Sequence, residues 1–278
     1  MKINIIDFLV HPHEYADDVI LVDGGAFLWR SVVTNQDNFI YRHLKIVREF
    51  FHKVPVVVLD APGNIRKVLD DTYKAQREET EERKLVRKRS ELLWENNYFP
   101  TIRLPGFEAD DLIAYLVLAA PGLCVLSGDK DLFQLPGLEM YTYNKKRPHN
   151  ADESILKKNF EDSFPKYLLE YFTPGAQAAI VQALYGDRAD NIPRLLPKKK
   201  KMATMVLDVI LCSENPVQEA YNTFGKQFIQ NLEHVIMPHY MLYKGEFDIM
   251  QFSDVYYNYN NFNLKVEYSH ESEGIVVL

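Results

Sequence analysis

The stretch GFEADDLIAYLVLAAPGLCVLSGDKDLFQ, residues 106–134, decides how the rest of the chain is read. Gly106 marks a turn, and the apolar run Leu112 to Leu118, stopped by Pro121-Gly122, predicts a helix with Glu108, Asp110 and Asp111 in its first turn. Leu123 to Leu126 predicts a strand that opens into Ser127-Gly128-Asp129-Lys130-Asp131. A helix N-terminus favours each carboxylate by up to about 1 kcal/mol. Two ionised carboxylates about 4 Å apart repel by roughly 4 kcal/mol at an effective dielectric near 20. Repulsion wins, so acids this dense need protons or cations to coexist.

Outward from this stretch the same unit recurs. Val19 to Val22 runs into Asp23-Gly24-Gly25, with a helix predicted over Ala26 to Val33. Phe39 to Phe51 has helical spacing, and Pro55 to Leu59 is a β-branched run closed by Asp60. Ile102 to Leu104 and Leu138 to Tyr143 are further strands. Near-continuous apolar strands of this kind are buried on both faces in parallel sheets. The fold class is therefore α/β, a mostly parallel doubly wound sheet, and Asp23, Asp60, Asp129 and Asp131, which follow three of its strands, should converge on one rim.

Residues 66–96 change to a charged, helical composition with Tyr73 and Trp94 among the bases and Glu79 spaced to pair with Arg83. After Pro165 the chain turns helical. Ala176 to Tyr185 ends at Gly186 and delivers Asp187-Arg188-Ala189-Asp190-Asn191, followed by Lys198 to Lys201 and a helix over Met202 to Leu211. Residues 1–18 show no clear period, with His11 and His13 read as surface histidines, and the Tyr/Asn/Phe-rich tail from Phe252 to Tyr268 reads as a terminal sheet or cover.

The 278 residues, 47% of them hydrophobic, build a globular core, and no run is long enough to span a bilayer. Cys124 and Cys212 lack metal-ligand spacing and read as reduced core residues, which suits a cytoplasmic protein. The net charge of −7 argues weakly against a nucleic-acid partner, because the bases are gathered into clusters at 83–89, 145–147 and 198–201. Asp23, Asp60, Glu108, Asp110, Asp111, Asp129, Asp131, Asp187 and Asp190 are all hard oxygen donors, a set that selects Mg²⁺ or Mn²⁺ over zinc or copper. With no serine, cysteine or histidine nucleophile evident among them, they suit two-metal phosphoryl chemistry.

GFEADD, SGDKD and GDRADN, in this order and preceded by VDGG (22–25) and LDAPGNIR (59–66), resemble the structure-specific 5′ nuclease family. That family includes flap endonucleases, the 5′-nuclease domain of bacterial DNA polymerase I, and the stand-alone bacteriophage 5′–3′ exonucleases also called RNase H, to which this chain is most similar. The resemblance implies a catalytic α/β domain over residues 1–172, with a helical arch at about 66–100, and a mainly helical DNA-binding region over 173–278. It places Asp23, Asp60, Glu108 and Asp110 at a first metal ion, and Asp129, Asp131 and Asp187, with Asp190 behind them, at a second. Asp111 matches a shared or outer-sphere ligand. Tyr73, Lys74 and Arg77 match a YKxxR motif at the base of the arch, where the lysine and arginine contact the scissile phosphate. Arg30 and Arg66 match phosphate contacts.

The sequence departs from the family at one place. Where a glycine-rich hairpin between two helices should bind duplex DNA, residues 194–201 read RLLPKKKK without glycine. That argues against close backbone approach and against a bound K⁺, and leaves Lys198, Lys199, Lys200 and Lys201 as the duplex contacts. The implied function is a divalent-metal-dependent 5′–3′ exonuclease or flap endonuclease acting as a monomer on branched or 5′-ended DNA, or on RNA–DNA hybrids. It would work beside replication proteins such as a single-strand-binding protein, clamp or polymerase, in a bacterial host's cytoplasm if phage-encoded. A PIN-type ribonuclease and a non-catalytic branched-DNA binder that kept the fold are the alternatives.

Overall fold

The computed structural model describes residues 3–33, 39–61, 67, 71, 73–75, 78–96, 99–143, 155–159, 161, 163–237 and 267–268. Among the described residues, seven strands form one sheet in the order β6-β5-β4-β1-β2-β3-β7, where β1 is Val19–Asp23, β2 Val54–Leu59, β3 Thr101–Arg103, β4 Cys124–Leu126, β5 Glu139–Tyr143, β6 Ile155–Lys157 and β7 Glu267–Tyr268. The five central strands are parallel, and β6 and β7 lie antiparallel on the two edges.

Every residue of β1 and β2 is buried, because helices cover both faces. Alternation sorts their side chains. Val19, Leu21, Val54, Val56 and Val58 pack with the helix Ala109–Ala119 and with Phe8 of the helix Ile5–Val10. Ile20, Val22, Val57 and Leu59 face the helices Gly24–Val33, Phe39–Phe51 and Glu81–Asn96. A third core joins the helices Lys166–Leu169, Ala176–Tyr185, Lys200–Leu211, Pro216–Phe224 and Lys226–Val235 around Leu184, Leu207, Phe228 and Leu232.

The strand order decides where a site can form. From β1 the chain builds outward to β2 and β3, then crosses back to place β4 on the other side of β1. The direction of winding reverses between β1 and β4, and at such a switch point the connections diverge and leave a crevice at the carboxyl ends of the strands.

Several expectations are corrected. Residues 5–10 form a short helix capped by the Asn4 side chain, which six residues are too few to announce by period. Cys212 is exposed just past the end of its helix, and only Cys124 is buried. Glu79 precedes the first turn of the helix Glu81–Asn96, so helical spacing does not apply to it, and it pairs with Arg87 at 2.5 Å. The second basic cluster (145–147) and residues 252–266 of the tail lie outside the described residues. No helix among the described residues is long and apolar enough to cross a membrane.

Candidate metal and nucleic-acid site

Asp23 is the last residue of β1 and only 7% exposed. The chain can turn into a helix at once because residue 24 is glycine, and a Cβ there would lie 2.7 Å from the Val58 carbonyl oxygen. Asp23 Oδ1 accepts the Ala26 N–H at 3.1 Å, and its Oδ2 accepts the Ser127 hydroxyl at 2.7 Å. That hydroxyl in turn accepts the Asp129 N–H at 3.0 Å. Ser127 thus spans the crevice between β1 and β4. Burial, above all, raises the Asp23 carboxyl to about 6, with the Ser127 and Ala26 hydrogen bonds pulling it back and Asp129 and Asp60 pushing it further up.

Asp60 follows β2 and receives the Ala109 N–H at 2.8 Å, which ties it to the start of the acidic helix. Glu108 is the N-cap of that helix, and the Asp111 carboxylate closes the cap by accepting the Glu108 N–H at 3.3 Å. Asp111 is 1% exposed. Glu108 is held at both oxygens, by Lys74 Nζ at 2.5 Å and the Tyr73 hydroxyl at 3.1 Å. Asp110 sits well above the usual carboxylate range, first through burial and then through Asp129, Asp23, Glu108 and Asp60.

The second group lies across the crevice. Asp129 Oδ1 accepts the Asp131 N–H at 2.8 Å and shapes the turn that buries Asp131. Asp131 is also pushed well up, by burial, then by Asp129, with Lys130 opposing, and by Asp187 and Asp190. Lys130 Nζ lies 2.8 Å from Asp187 Oδ2. Gly186 lets the acidic turn leave its helix, since its φ is +74° and a Cβ would meet the Ile192 carbonyl oxygen at 2.7 Å. Asp187 and Ile192 then exchange both main-chain hydrogen bonds.

The structure brings Asp23, Asp60 and Glu108 within electrostatic reach of Asp110, Asp60 within reach of Asp23, and Asp187 and Asp190 within reach of Asp131. Asp129 acts on members of both groups. Among the described residues, no three or more His, Cys, Asp or Glu side chains form a ready-made cage for an ion. The carboxylates instead hold Lys74, Lys130, Ser127 and main-chain N–H groups. The donor set still fits a hard divalent cation, being oxygen-only and short of positive charge.

The bases are distributed as follows. Arg30 stacks over the Tyr143 ring at 4.6 Å, and burial lowers its pKa. Lys198, Lys199, Lys200 and Lys201 are exposed around the N-terminus of the helix Lys200–Leu211. Arg66 and Arg77 lie outside the described residues. In place of a glycine hairpin, Arg194 ties its own loop from within, donating to the Leu196 and Pro197 carbonyl oxygens and to Tyr167 Oη, each at 3.0 Å. Beside it opens a cleft of about 420 Å³ walled by Lys130, Tyr185, Asp187, Arg188, Asn191 and Arg194.

Ser127 and Lys130 are site residues that the sequence reading quoted within SGDKD without assigning a role. Their signal is the spacing: the residue two before Asp129 caps the turn, and the residue between the aspartates reaches Asp187.

Residues 18–164 match the family model for the 5′–3′ exonuclease N-terminal resolvase-like domain. The chain belongs to the 5′–3′ exonuclease family. A 5′–3′ exonuclease of Aquifex aeolicus is 30% identical over 232 residues, covering 75% of this chain and 74% of that protein. The DNA polymerase I of Rhizobium leguminosarum is 26% identical over 223 residues, covering 69% of this chain and 20% of the polymerase. Among solved structures, the T5 D15 protein co-crystallised with metal ions has a TM-score of 0.57 at 18% identity, covering 86% of this chain and 97% of that one. In this 5′–3′ exonuclease family member the acidic rim thus lies at the switch point of a fold shared with the T5 protein.

Proposed function

We propose that this chain is a divalent-metal-dependent 5′ nuclease that hydrolyses phosphodiesters near the 5′ end of branched or nicked DNA, with RNA–DNA hybrids as a further substrate. The observation that carries this reading is the convergence of two carboxylate groups, with Asp129 acting on both, at the crevice between β1 and β4. The family relatives and the T5 D15 flap endonuclease bound to DNA and metal ions support it.

Asp23, Asp60, Glu108 and Asp110 would hold one Mg²⁺ or Mn²⁺, and Asp131, Asp187 and Asp190 the other, with Asp129 between. When bound, such a pair supplies an activated water and stabilises the leaving oxygen of an in-line displacement. The chain's own residues do the rest. Lys74, only 13% exposed, brings a positive charge to the rim where a phosphate gains negative charge. Tyr73 orients Glu108, and Asp111 is spent on the helix cap. Arg188 and Arg194, together with Lys198 to Lys201, offer phosphate contacts, which read the shape of a duplex and not its sequence. Lys130, Arg188 and Arg194 wall the cleft beside Asp187. A monomer working with replication proteins in the cytoplasm is the setting that fits this substrate.

The test uses a 5′-labelled flap, a blunt duplex and an RNA–DNA hybrid, each with Mg²⁺ or with chelator. Cleavage of the flap that chelator abolishes is expected. Asp23→Asn and Asp129→Asn should lose cleavage while largely keeping DNA binding. An intact flap in Mg²⁺ and in Mn²⁺ would reject the reading.

A further inference from the structure

We propose that His234, in the last turn of the helix Lys226–Val235, is a positioning residue for Glu108, acting through the ring of Tyr73. The inference rests on the nuclease reading above and deepens it. The His234 and Tyr73 rings are stacked, with centroids 4.8 Å apart and planes 18° from parallel. Tyr73 is 2% exposed, so its ring has little room to move. Its hydroxyl donates to Glu108 Oε2, while Lys74 Nζ holds Oε1. The orientation of one rim carboxylate is thereby set by a dipeptide, and the stacked imidazole restrains that dipeptide.

The same helix end also reaches the second carboxylate group. The carbonyl oxygen of Val235 accepts Gln134 Nε2 at 2.7 Å. Gln134 is fully buried and closes the turn Asp131–Gln134, whose first residue is a second-group aspartate. Lys74 N–H meanwhile donates to the Asp190 carbonyl oxygen at 3.4 Å, at a positive φ of 54°. Two successive residues of one C-terminal helix therefore brace both halves of the acidic rim, one by a ring and one by a carbonyl. A ring stacked on a buried phenol limits how far the hydroxyl can swing. A ligand held in place costs less ordering when an ion arrives.

The experiment measures Mn²⁺ affinity by calorimetry without DNA, and kcat and KM for 5′-flap cleavage in saturating Mn²⁺. His234→Ala is expected to weaken Mn²⁺ binding and lower kcat by roughly three- to tenfold, with KM changed by less than about twofold. His234→Phe, which keeps a flat ring, should retain both values within about twofold. In a Tyr73→Leu background His234→Ala should add nothing, because the two side chains act as one unit. Should His234→Ala fail to fold, His234→Gln takes its place in every comparison. Unchanged Mn²⁺ affinity and kcat, a phenylalanine variant no better than alanine, or additive losses in the Tyr73→Leu background would each overturn the proposal. A wild-type protein that neither binds Mn²⁺ nor cuts a flap overturns the nuclease reading instead.

Discussion

Ser127 donates its hydroxyl to Asp23 across the line where the sheet reverses its winding, with an oxygen-to-oxygen distance of 2.7 Å. The bond favours the ionised form of a carboxylate that burial and its neighbours push the other way. Ser127→Ala should therefore move Asp23 further up and shift the acid limb of the pH–rate profile to higher pH. It should also destabilise the fold by about 1–2 kcal/mol, since the Asp129 N–H loses its acceptor as well. A pH–rate profile and a urea titration of the variant check both parts.

Lys74 Nζ lies 2.5 Å from the rim carboxylate of Glu108. Lys74→Ala removes the cation that competes with a metal ion for Glu108 while the Tyr73 hydroxyl still orients that carboxylate, so Mn²⁺ affinity should hold or rise. If Lys74 serves the developing phosphate as proposed, flap cleavage should fall by about two to three orders of magnitude. Calorimetry beside single-turnover kinetics separates the two effects. Parallel loss of metal binding and cleavage would mean that Lys74 only supports the fold.

The metal-free protein should be more stable in mild acid than at neutral pH. Asp23 is raised to about 6, and Asp110 and Asp131 are raised too, so between the unfolded carboxyl range near 4 and the folded values the native state binds more protons than the unfolded one. By linkage, stability then falls as pH rises through that window, by of order 1–3 kcal/mol for Asp23 alone. Thermal unfolding in chelator at about pH 5 and about pH 7.5 reads the sign. Asp23→Asn should flatten the slope, and added Mn²⁺ should raise the melting temperature far more at the higher pH.

Lys198 to Lys201 surround a helix N-terminus, where the dipole disfavours positive charge. Side-chain cations on a duplex release counterions, so flap affinity, measured in Ca²⁺ to prevent cutting, should fall by about tenfold or more between roughly 50 and 200 mM salt. Replacing Lys199 and Lys200 by glutamine should reduce the slope of log affinity against log salt by about 1–2. An affinity indifferent to salt would transfer duplex binding to the main chain of the loop.

Much of this was legible in the residues because buried parallel strands are runs such as Val54–Leu59, and an aspartate that closes such a run, as Asp23 and Asp60 do, sits at the shared rim. The switch between β1 and β4 was not legible, since which strands become neighbours is settled by the packing of distant helices. Glu79 gave the wrong partner and Cys212 the wrong environment because both lie just outside the ends of helices. A spacing rule holds within an element and fails one residue outside it. Asp111 shows a subtler limit. The family resemblance gives it as a shared or outer-sphere ligand, and at the third helical position its carboxylate also reaches back to cap the turn, a bond that only the coordinates display. His234 carries no local mark at all, being brought to Tyr73 by the third core.

Gln134 offers its amide nitrogen both to Gln182 on the helix Ala176–Tyr185 and to the carbonyl oxygen of Val235. Sealed from solvent, that amide has no water to fall back on if either acceptor leaves. The sheet and the helical bundle are consequently riveted where the reaction would occur. They should melt as a single cooperative unit, and neither half, expressed alone, would inherit a finished boundary.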